Sequence, residues 1–395
     1  MTNILILGGD GYLGWPTAMY LSQKGYEVTV VDNYFRRKCC LELNIDTLYQ
    51  SLNLIERAKL WYKITGKEIK VVLGDLNEPE IMNSLFNGEV KYSWCINSKY
   101  SEVPESVIHY AEQPSAPYSL ISQRNSEFTL INNLKVTHNL IWSVKEFSKQ
   151  TQIIKLGTMG EYGTPNIDIE EGWLEINYKG RSDKFLYPRQ AGSIYHTSKI
   201  MDTDLLWYAV RMWGITVTDL MQGPVYGYKT EESEIDERLN TIFNYDDIFG
   251  TVINRFVVQA VCGIPLTVYG KGGQTRGYLN IKDTLQCIHQ AIKFPAQKGD
   301  LRIFNQIMET FTVNEIAEKI NYVGNKIGYD VEINNIENPR KELESHYYNP
   351  TYQGLIDIGV EPHFLDEIAI KDLFQTVEKY KNNIRKDSIL PRVKW

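Results

Sequence analysis

The sequence predicts an α/β protein in which helices wrap both faces of a parallel sheet, and three observations carry that prediction. Asn3-Ile4-Leu5-Ile6-Leu7 is a short uninterrupted apolar run, the pattern of a strand buried on both faces. It leads directly into Gly8-Gly9-Asp10-Gly11-Tyr12-Leu13-Gly14, and a second strand, Glu27-Val28-Thr29-Val30-Val31, follows after one helix length. Apolar runs at 71–76, 106–110, 153–157 and 216–221 then alternate with helix-length segments, as repeated βαβ units require.

The glycines set the first element. Gly8, Gly11 and Gly14 have the G-x-x-G-x-x-G spacing that allows a tight turn, close approach to a pyrophosphate and close helix packing. A helix over 12–24 would aim its amino-terminal dipole at that pyrophosphate, with Tyr12 and Leu13 in its opening turn. Asp32 ends the second strand where a ribose-binding acid is expected. Together these residues define a Rossmann-type dinucleotide site. Asp32 would repel a 2′-phosphate, which favours NAD over NADP. Arg36 and Arg37 leave the other cofactor open, or form a solvated basic turn. Asn33 and Arg36 are taken as further cofactor contacts.

Residues 36–70 read as a helix-prone insertion, with Leu48, Leu52, Ile55 and Tyr62 on its apolar face and Glu56, Arg57 and Lys59 between them. The third strand, 71–76, brings Asp75 and Leu76 to its carboxyl end. Asp75 is either an adenine-edge contact or a turn acid. The next strand is either 93–97 or 106–110. The second is preferred because it enters the Pro- and Ser-rich loop 111–119, and open α/β sheets place ligands at such loops. A long helix over 125–149 carries Asn132 and Asn133, the latter a candidate cofactor contact. Its apolar positions serve either a dimer face or the core.

The chemistry is read from 153–199. The strand delivers Thr158, and a helix over 193–212 puts Tyr195 and Lys199 four apart on one face. A free phenol titrates near pH ~10, so it is a poor base until a neighbouring ammonium favours the phenolate. Thr158 could then hold a substrate alcohol against it. Asp168, Glu170 and Glu171 read as a solvated rim, and a hairpin is expected near Lys179-Gly180. The run 231–237 reads as a solvated helix face or lid, without the His or Cys that a metal site would favour. Farther on, the Gly-rich loop 268–278 carries Tyr269 and Arg276, and Asn338-Pro339-Arg340 supplies a second cation. Guanidinium groups bind a diphosphate bidentately, though a surface loop would also carry them. Thr312 to Glu315 fits a capping box opening a helix to about Gly328.

Composition bounds the partners. The chain has 395 residues, enough for one large α/β domain or one plus a smaller lobe, with 43% hydrophobic residues for the core. Its net charge of −7 argues against nucleic acid or an anionic membrane as partner. No run of about 18 apolar residues and no signal peptide are seen, so a cytoplasmic location is expected. Cys39, Cys40, Cys95, Cys262 and Cys287 lack metal or disulfide spacing and read as reduced thiols.

Taken together, these motifs resemble the extended short-chain dehydrogenase/reductases that act on nucleotide sugars. The resemblance is closest to their sulfosugar-forming branch, and it spans essentially the whole chain. It is carried by the glycine turn with Trp15, Asp32-Asn33 with Arg36-Arg37, the run 155–171, Tyr195-His196, the loop 269–279, Asn338-Pro339-Arg340, and His346-Tyr347-Tyr348-Asn349. The resemblance implies an NAD-binding domain over 1–222 with part of 223–300, and an interleaved UDP-sugar lobe over roughly 223–395. It further implies UDP-glucose and sulfite as substrates, the sulfur arriving free or from a donor protein, and a homodimer. Thr158, Tyr195 and Lys199 become the catalytic triad, and Gln190, Tyr269, Arg276 and Arg340 the substrate contacts. Sugar 4,6-dehydratases of this superfamily carry an Asp and a Glu after the threonine, where this chain has Met159 and Gly160. His196 is therefore the candidate base at C5, and Glu161 a weaker one. Plant members carry Arg where this chain has Pro114, and Arg124 is a candidate replacement. The rival expectations are a UDP-sugar 4-epimerase or 4,6-dehydratase, and a catalytically silent NAD-sensing protein.

Overall fold

The computed structural model describes residues 2–96, 103–340, 343, 345–391 and 393. Its strands are β1 Asn3–Leu7, β2 Glu27–Asp32, β3 Ile69–Leu73, β4 Ser106–His109, β5 Gln152–Thr158, β6 Trp173–Tyr178 and β7 Arg181–Leu186. They continue as β8 Thr216–Gln222, β9 Val225–Tyr226, β10 Leu266–Tyr269, β11 Thr275–Asn280, β12 Leu301–Gln306, β13 Glu309–Thr312 and β14 Ile333–Ile336. Seven strands form one parallel sheet in the order β12-β8-β5-β4-β1-β2-β3. The order in which strands are added reverses between β1 and β4, so a crevice opens there at the strands' carboxyl ends. Both faces of the sheet are buried, which is why its strands read as continuous apolar runs.

The helices that matter for the site are α1 Gly14–Gln23, α2 Phe35–Glu42, α3 Leu54–Thr65, α4 Pro79–Asn87, α5 Gln123–Phe147, α6 Ile194–Trp213, α7 Glu231–Glu234 and α8 Val252–Val261. Ser193 caps α6 by accepting a hydrogen bond from the His196 amide, which fixes where Tyr195 and Lys199 begin their face. The C-terminal part carries two small sheets, β10-β14 and β13-β11-β9, with its own apolar core. Strand β12 leaves this part and joins the large sheet beside β8, although the sequence-based division assigns residues 301–306 to the second lobe.

Several sequence expectations are corrected. The insertion after β2 forms two helices; of the expected apolar positions Leu48 is fully buried, but Leu52 and Ile55 are half-buried and Tyr62 is exposed, and α3 instead buries Leu54, Arg57, Ala58 and Trp61. Arg57 is fully buried because it meets a buried carboxylate, which an apolar-face count cannot anticipate. The third strand is shifted to Ile69–Leu73, and α1 begins at Gly14 rather than at 12. Of the alternative strand 93–97, Trp94 makes only an isolated bridge to Val71, and Asn97 lies outside the described residues. The box at Thr312 is formed, but its helix, Val313–Lys326, stops short of Gly328. In the run 231–237, Glu232 is buried under the capping box of α7, so it is not a uniformly solvated face. No helix among the described residues is long and apolar enough to cross a membrane. None of their His, Cys, Asp and Glu groups is arranged to hold a metal.

Candidate active site

A cavity of about 1000 Å³ runs from the glycine turn, past the ends of β4 and β5, into the C-terminal part. At its first end the glycines do different work. Gly8 has φ +92°, and a Cβ there would lie 2.8 Å from the carbonyl carbon of Tyr110. A Cβ on Gly14 would lie 2.0 Å from the Gly8 carbonyl oxygen. Gly11 has no atom nearer than 3.6 Å to such a Cβ, and it lines the cavity, so its bareness leaves room for a ligand.

Asp10 locks this turn. It is 1% exposed and holds Arg37 (Nε to Oδ2, 2.7 Å) and Arg57 (Nη2 to Oδ1, 2.6 Å), while its amide donates to Asp32 Oδ2 at 2.8 Å. Arg57 also lies 4.8 Å from the ring of Trp15. Burial, joined by the Asp10 charge, pushes the Asp32 carboxyl up to about 6. Arg37, one of the two cations weighed for a 2′-phosphate, is thus committed to Asp10. Arg36 stays on the cavity wall, 3.9 Å above the Phe249 ring. Asp75 serves as a turn acid, its Oδ1 accepting from the Asn77 amide at 3.0 Å, and the residue also lines the cavity.

At the centre, Thr158, Tyr195 and His196 line the cavity together. Lys199 does not. It is 3% exposed, and its ammonium pairs with Glu112, a cavity-wall residue from the loop after β4. Burial works to lower the Lys199 pKa, but the Glu112 charge with Asp202 overcomes it, and the net shift is upward. Burial raises the Tyr195 phenol, and the Glu112 charge raises it further.

The His196 ring occupies space that a side chain at 160 would need: a Cβ on Gly160 would lie 2.3 Å from His196 Nε2. The other ring nitrogen is 3.0 Å from Ser193 Oγ. Burial, then the nearby Arg340 and Arg276 cations, lower the His196 pKa to about 4, so its imidazole is neutral at neutral pH. Met159 lines the wall beside it. Glu161 points the other way. It is fully buried, with Oε1 3.2 Å from Lys155 Nζ, and it accepts from the Thr158 amide at 3.3 Å. Lys155 also reaches Asp219 at 3.2 Å and Thr203 at 2.7 Å, so this buried network fixes the turn that carries Thr158.

At the far end, Arg255, Tyr269, Gln274, Arg276, Arg340 and Tyr348 line the wall. Tyr269 has Arg255 5.2 Å and Arg340 5.8 Å from its ring centre. Arg276 Nη1 is 2.9 Å from His346 Nε2. The segment bearing His346 and Tyr348 is clasped by the acids expected as a solvated rim. Asp168 accepts from Tyr347 and from Asn349 (2.9 Å), and Ile169 bridges to Pro350. Glu171 accepts from the Asn305 amide at 3.1 Å and the Gly354 amide at 3.2 Å, and burial pushes its carboxyl up to about 7.

The candidates Gly8, Gly11, Tyr12, Leu13, Gly14, Asp32, Asn33, Arg36, Asp75, Leu76, Gln190, Tyr269, Arg276 and Arg340 all line the cavity. Asn133 does not. It is fully buried, accepting from the Gln113 amide at 2.8 Å and donating to Ser198 Oγ at 3.0 Å, and its neighbour Asn132 lines the wall instead. Arg124 is exposed on α5 and is not on the wall. Sequence reasoning missed Asp10, Glu112 and Arg255. The charges inside otherwise apolar or loop segments were the only signal.

The NAD dependent epimerase/dehydratase family matches residues 4–305. The chain is 44% identical to the chloroplastic UDP-sulfoquinovose synthase of Spinacia oleracea, over 100% of this chain and 79% of that protein. It is 40% identical to the UDP-sulfoquinovose synthase of Sulfolobus acidocaldarius, over 100% of this chain and 97% of that one. Among solved structures, a UDP-glucose 4-epimerase from Bifidobacterium longum in complex with NAD+ and UDP aligns with a TM-score of 0.68, covering 98% of this chain and 100% of that one at 20% identity. The chain belongs to the NAD dependent epimerase/dehydratase family. Within that family its place is among the UDP-sulfoquinovose synthases.

Proposed function

We propose that the protein forms UDP-sulfoquinovose from UDP-glucose and sulfite, and the single observation that carries this reading is His196 filling the space left bare by Gly160. NAD fits the first end of the cavity: the bare face of Gly11 leaves room for a pyrophosphate, and Asp32 lies on the wall for a ribose. Held by these residues, NAD would supply the hydride acceptor and donor for C4 of the sugar.

The chain's residues do the rest. Tyr195, with Lys199 behind it and Thr158 beside it, takes the 4-hydroxyl proton as C4 becomes a ketone. The ketone acidifies the C5 hydrogen; the neutral His196 Nε2 removes it and passes it to the C6 hydroxyl, which leaves as water. Bisulfite then adds through sulfur at C6, its proton passes to C5 through His196, and Tyr195 returns its proton as C4 is reduced. Arg276 and Arg340 hold the diphosphate, with Tyr269 and Gln190 along the sugar nucleotide. With Met159 and Gly160 on the wall, a plain dehydration has no carboxylate after Thr158 to run through.

Mass spectrometry of UDP-sugars after incubation with UDP-glucose, with and without sulfite, tests the reading. A sulfonated UDP-hexose that needs sulfite is expected. UDP-galactose or a stable 4-keto-6-deoxy sugar would move the assignment to epimerase or dehydratase.

Three assembly-level readings go with this one. Residues 1–222 with part of 223–300 form the NAD-binding unit, and most of 223–395 forms the sugar lobe. A homodimer is supported by an exposed apolar face shared by α5 and α6, with Ile131 55%, Trp142 40%, Tyr208 44% and Met212 63% exposed. A two-fold dimer would bring the same face of a second copy against it. A reducing, cytoplasmic location fits the five unpaired cysteines.

A further inference from the structure

Glu112 is a buried carboxylate in the wall of the reaction chamber that no step above uses. Its side chain is 4% exposed and its Oε2 pairs with the Lys199 ammonium. Its Oε1 lies 3.3 Å from His109 Nε2, which is itself 3.1 Å from Thr137 Oγ1. Burial lowers the His109 pKa to about 4, so that imidazole is neutral and does not balance the carboxylate. Among the described residues, Lys199 is therefore the one charged cation within ion-pair reach of Glu112.

The pairing matters because Lys199 is the cation that would favour a phenolate at Tyr195. A carboxylate bound to that ammonium cancels part of its field at the phenol and adds a repulsive charge of its own. We propose that Glu112 is a positioning residue which anchors the Lys199 ammonium and, through that pair, sets the proton affinity of Tyr195. The proposal rests on the reading of Tyr195 as the proton acceptor at C4.

The other charges around Tyr195 come from every element packed on it. They are Glu161 from the turn after β5, Lys155 from β5 and Asp202 from its own helix, with the neutral His196 ring beside it and Lys199 one turn along the same helix. Lys155 and Glu161 form a pair of their own behind the turn, and Asp202 is held well toward its protonated form by burial and then by Glu112. Glu112 is thus the acid in direct contact with the Lys199 ammonium, and its removal leaves Lys199 intact and uncompensated. The phenol's high proton affinity has a use in a cycle that oxidises and then re-reduces the same carbon. The group that takes the proton must also give it back, and a phenol closer in basicity to an alcohol exchanges it with less bias either way.

The test uses the full-length protein with Glu112→Gln, which keeps shape and an acceptor oxygen, and Glu112→Asp, which keeps the charge. The Lys199 ammonium is titrated by NMR in protein isotopically labelled at lysine Cε and assigned with Lys199→Ala. Formation of reduced cofactor on mixing with UDP-glucose, without sulfite, is followed against pH. In Glu112→Gln the Lys199 pKa is expected to fall by at least ~1 unit. The acid limb of cofactor reduction is expected to move to lower pH by at least ~1 unit, a gain of about tenfold at a fixed pH on that limb. Glu112→Asp should keep the wild-type limb at a lower rate. An unshifted Lys199 titration overturns the proposal. A shifted titration with an unmoved acid limb overturns it as well. If the wild type forms no reduced cofactor from UDP-glucose, the substrate reading has failed, and the lysine titration alone decides on Glu112.

Discussion

His196 and Gly160 share one volume: the imidazole Nε2 stands where the first side-chain atom of residue 160 would begin, 2.3 Å from an added Cβ. Gly160→Ala should therefore displace the ring with little other damage. A displacement of this size at a reacting atom costs on the order of 10²-fold. Sulfonated product should fall by about that factor, while formation of reduced cofactor from UDP-glucose persists. His196→Asn should behave the same way. If both variants lose cofactor reduction as well, His196 acts at C4 rather than C5.

Tyr195→Phe keeps the ring and removes the proton acceptor. Both half-reactions use that proton, so cofactor reduction and sulfonation should fall together by roughly 10²- to 10⁴-fold. Rapid-mixing absorbance and product analysis check the two arms. A variant that still reduces the cofactor at the wild-type rate would remove Tyr195 from the mechanism.

The His196 imidazole should stay neutral on acidification until about 4, because burial and the neighbouring Arg340 and Arg276 cations oppose its charge. NMR of the ring reads this directly, and a titration near the ordinary histidine value would refute it. The linkage has a definite sign. The unfolded chain binds a proton at this histidine between about 4 and the ordinary value of 6.5 and the folded chain does not, so this group's contribution to stability falls as pH drops through that window. His196→Asn should lessen the acid sensitivity of the cofactor-free protein.

Among the described residues, Asp10 is the carboxylate that ion-pairs with both Arg37 and the fully buried Arg57. Asp10→Ala strands Arg57 as an unpaired buried cation, which costs about 3–5 kcal/mol. It also frees the turn that supports Asp32. Urea unfolding should show the loss, and NAD affinity should weaken with it. A stability change under ~1 kcal/mol would mean that water or another group takes the place of the carboxylate.

Asp168→Ala releases Tyr347 and Asn349, and with them the clasp on the segment that carries His346 and Tyr348 to the cavity. The effect should be a several-fold rise in KM for the UDP-sugar with kcat nearly kept, since no reacting group moves. A fall in kcat at unchanged KM would place the acid in the chemistry instead.

The parallel sheet, the glycine turn, Asp32 at the end of β2 and the shared helix of Tyr195 and Lys199 were legible in the sequence because each depends on local periodicity or on spacing within one element. A strand buried on two faces must be apolar throughout, and residues four apart on a helix must share a face. What stands opposite those residues was not legible. Glu112 reaches Lys199 from 87 residues away, Asp10 meets Arg57 across 47, and Asp168 meets Tyr347 across 179. A charged side chain in a loop looks the same in sequence whether it is solvated or buried against a partner. Only the tertiary structure brings the partner near enough to satisfy its burial. The sequence by itself therefore determined the sheet and the candidate reacting groups, and the tertiary structure decided which buried charges stand against them.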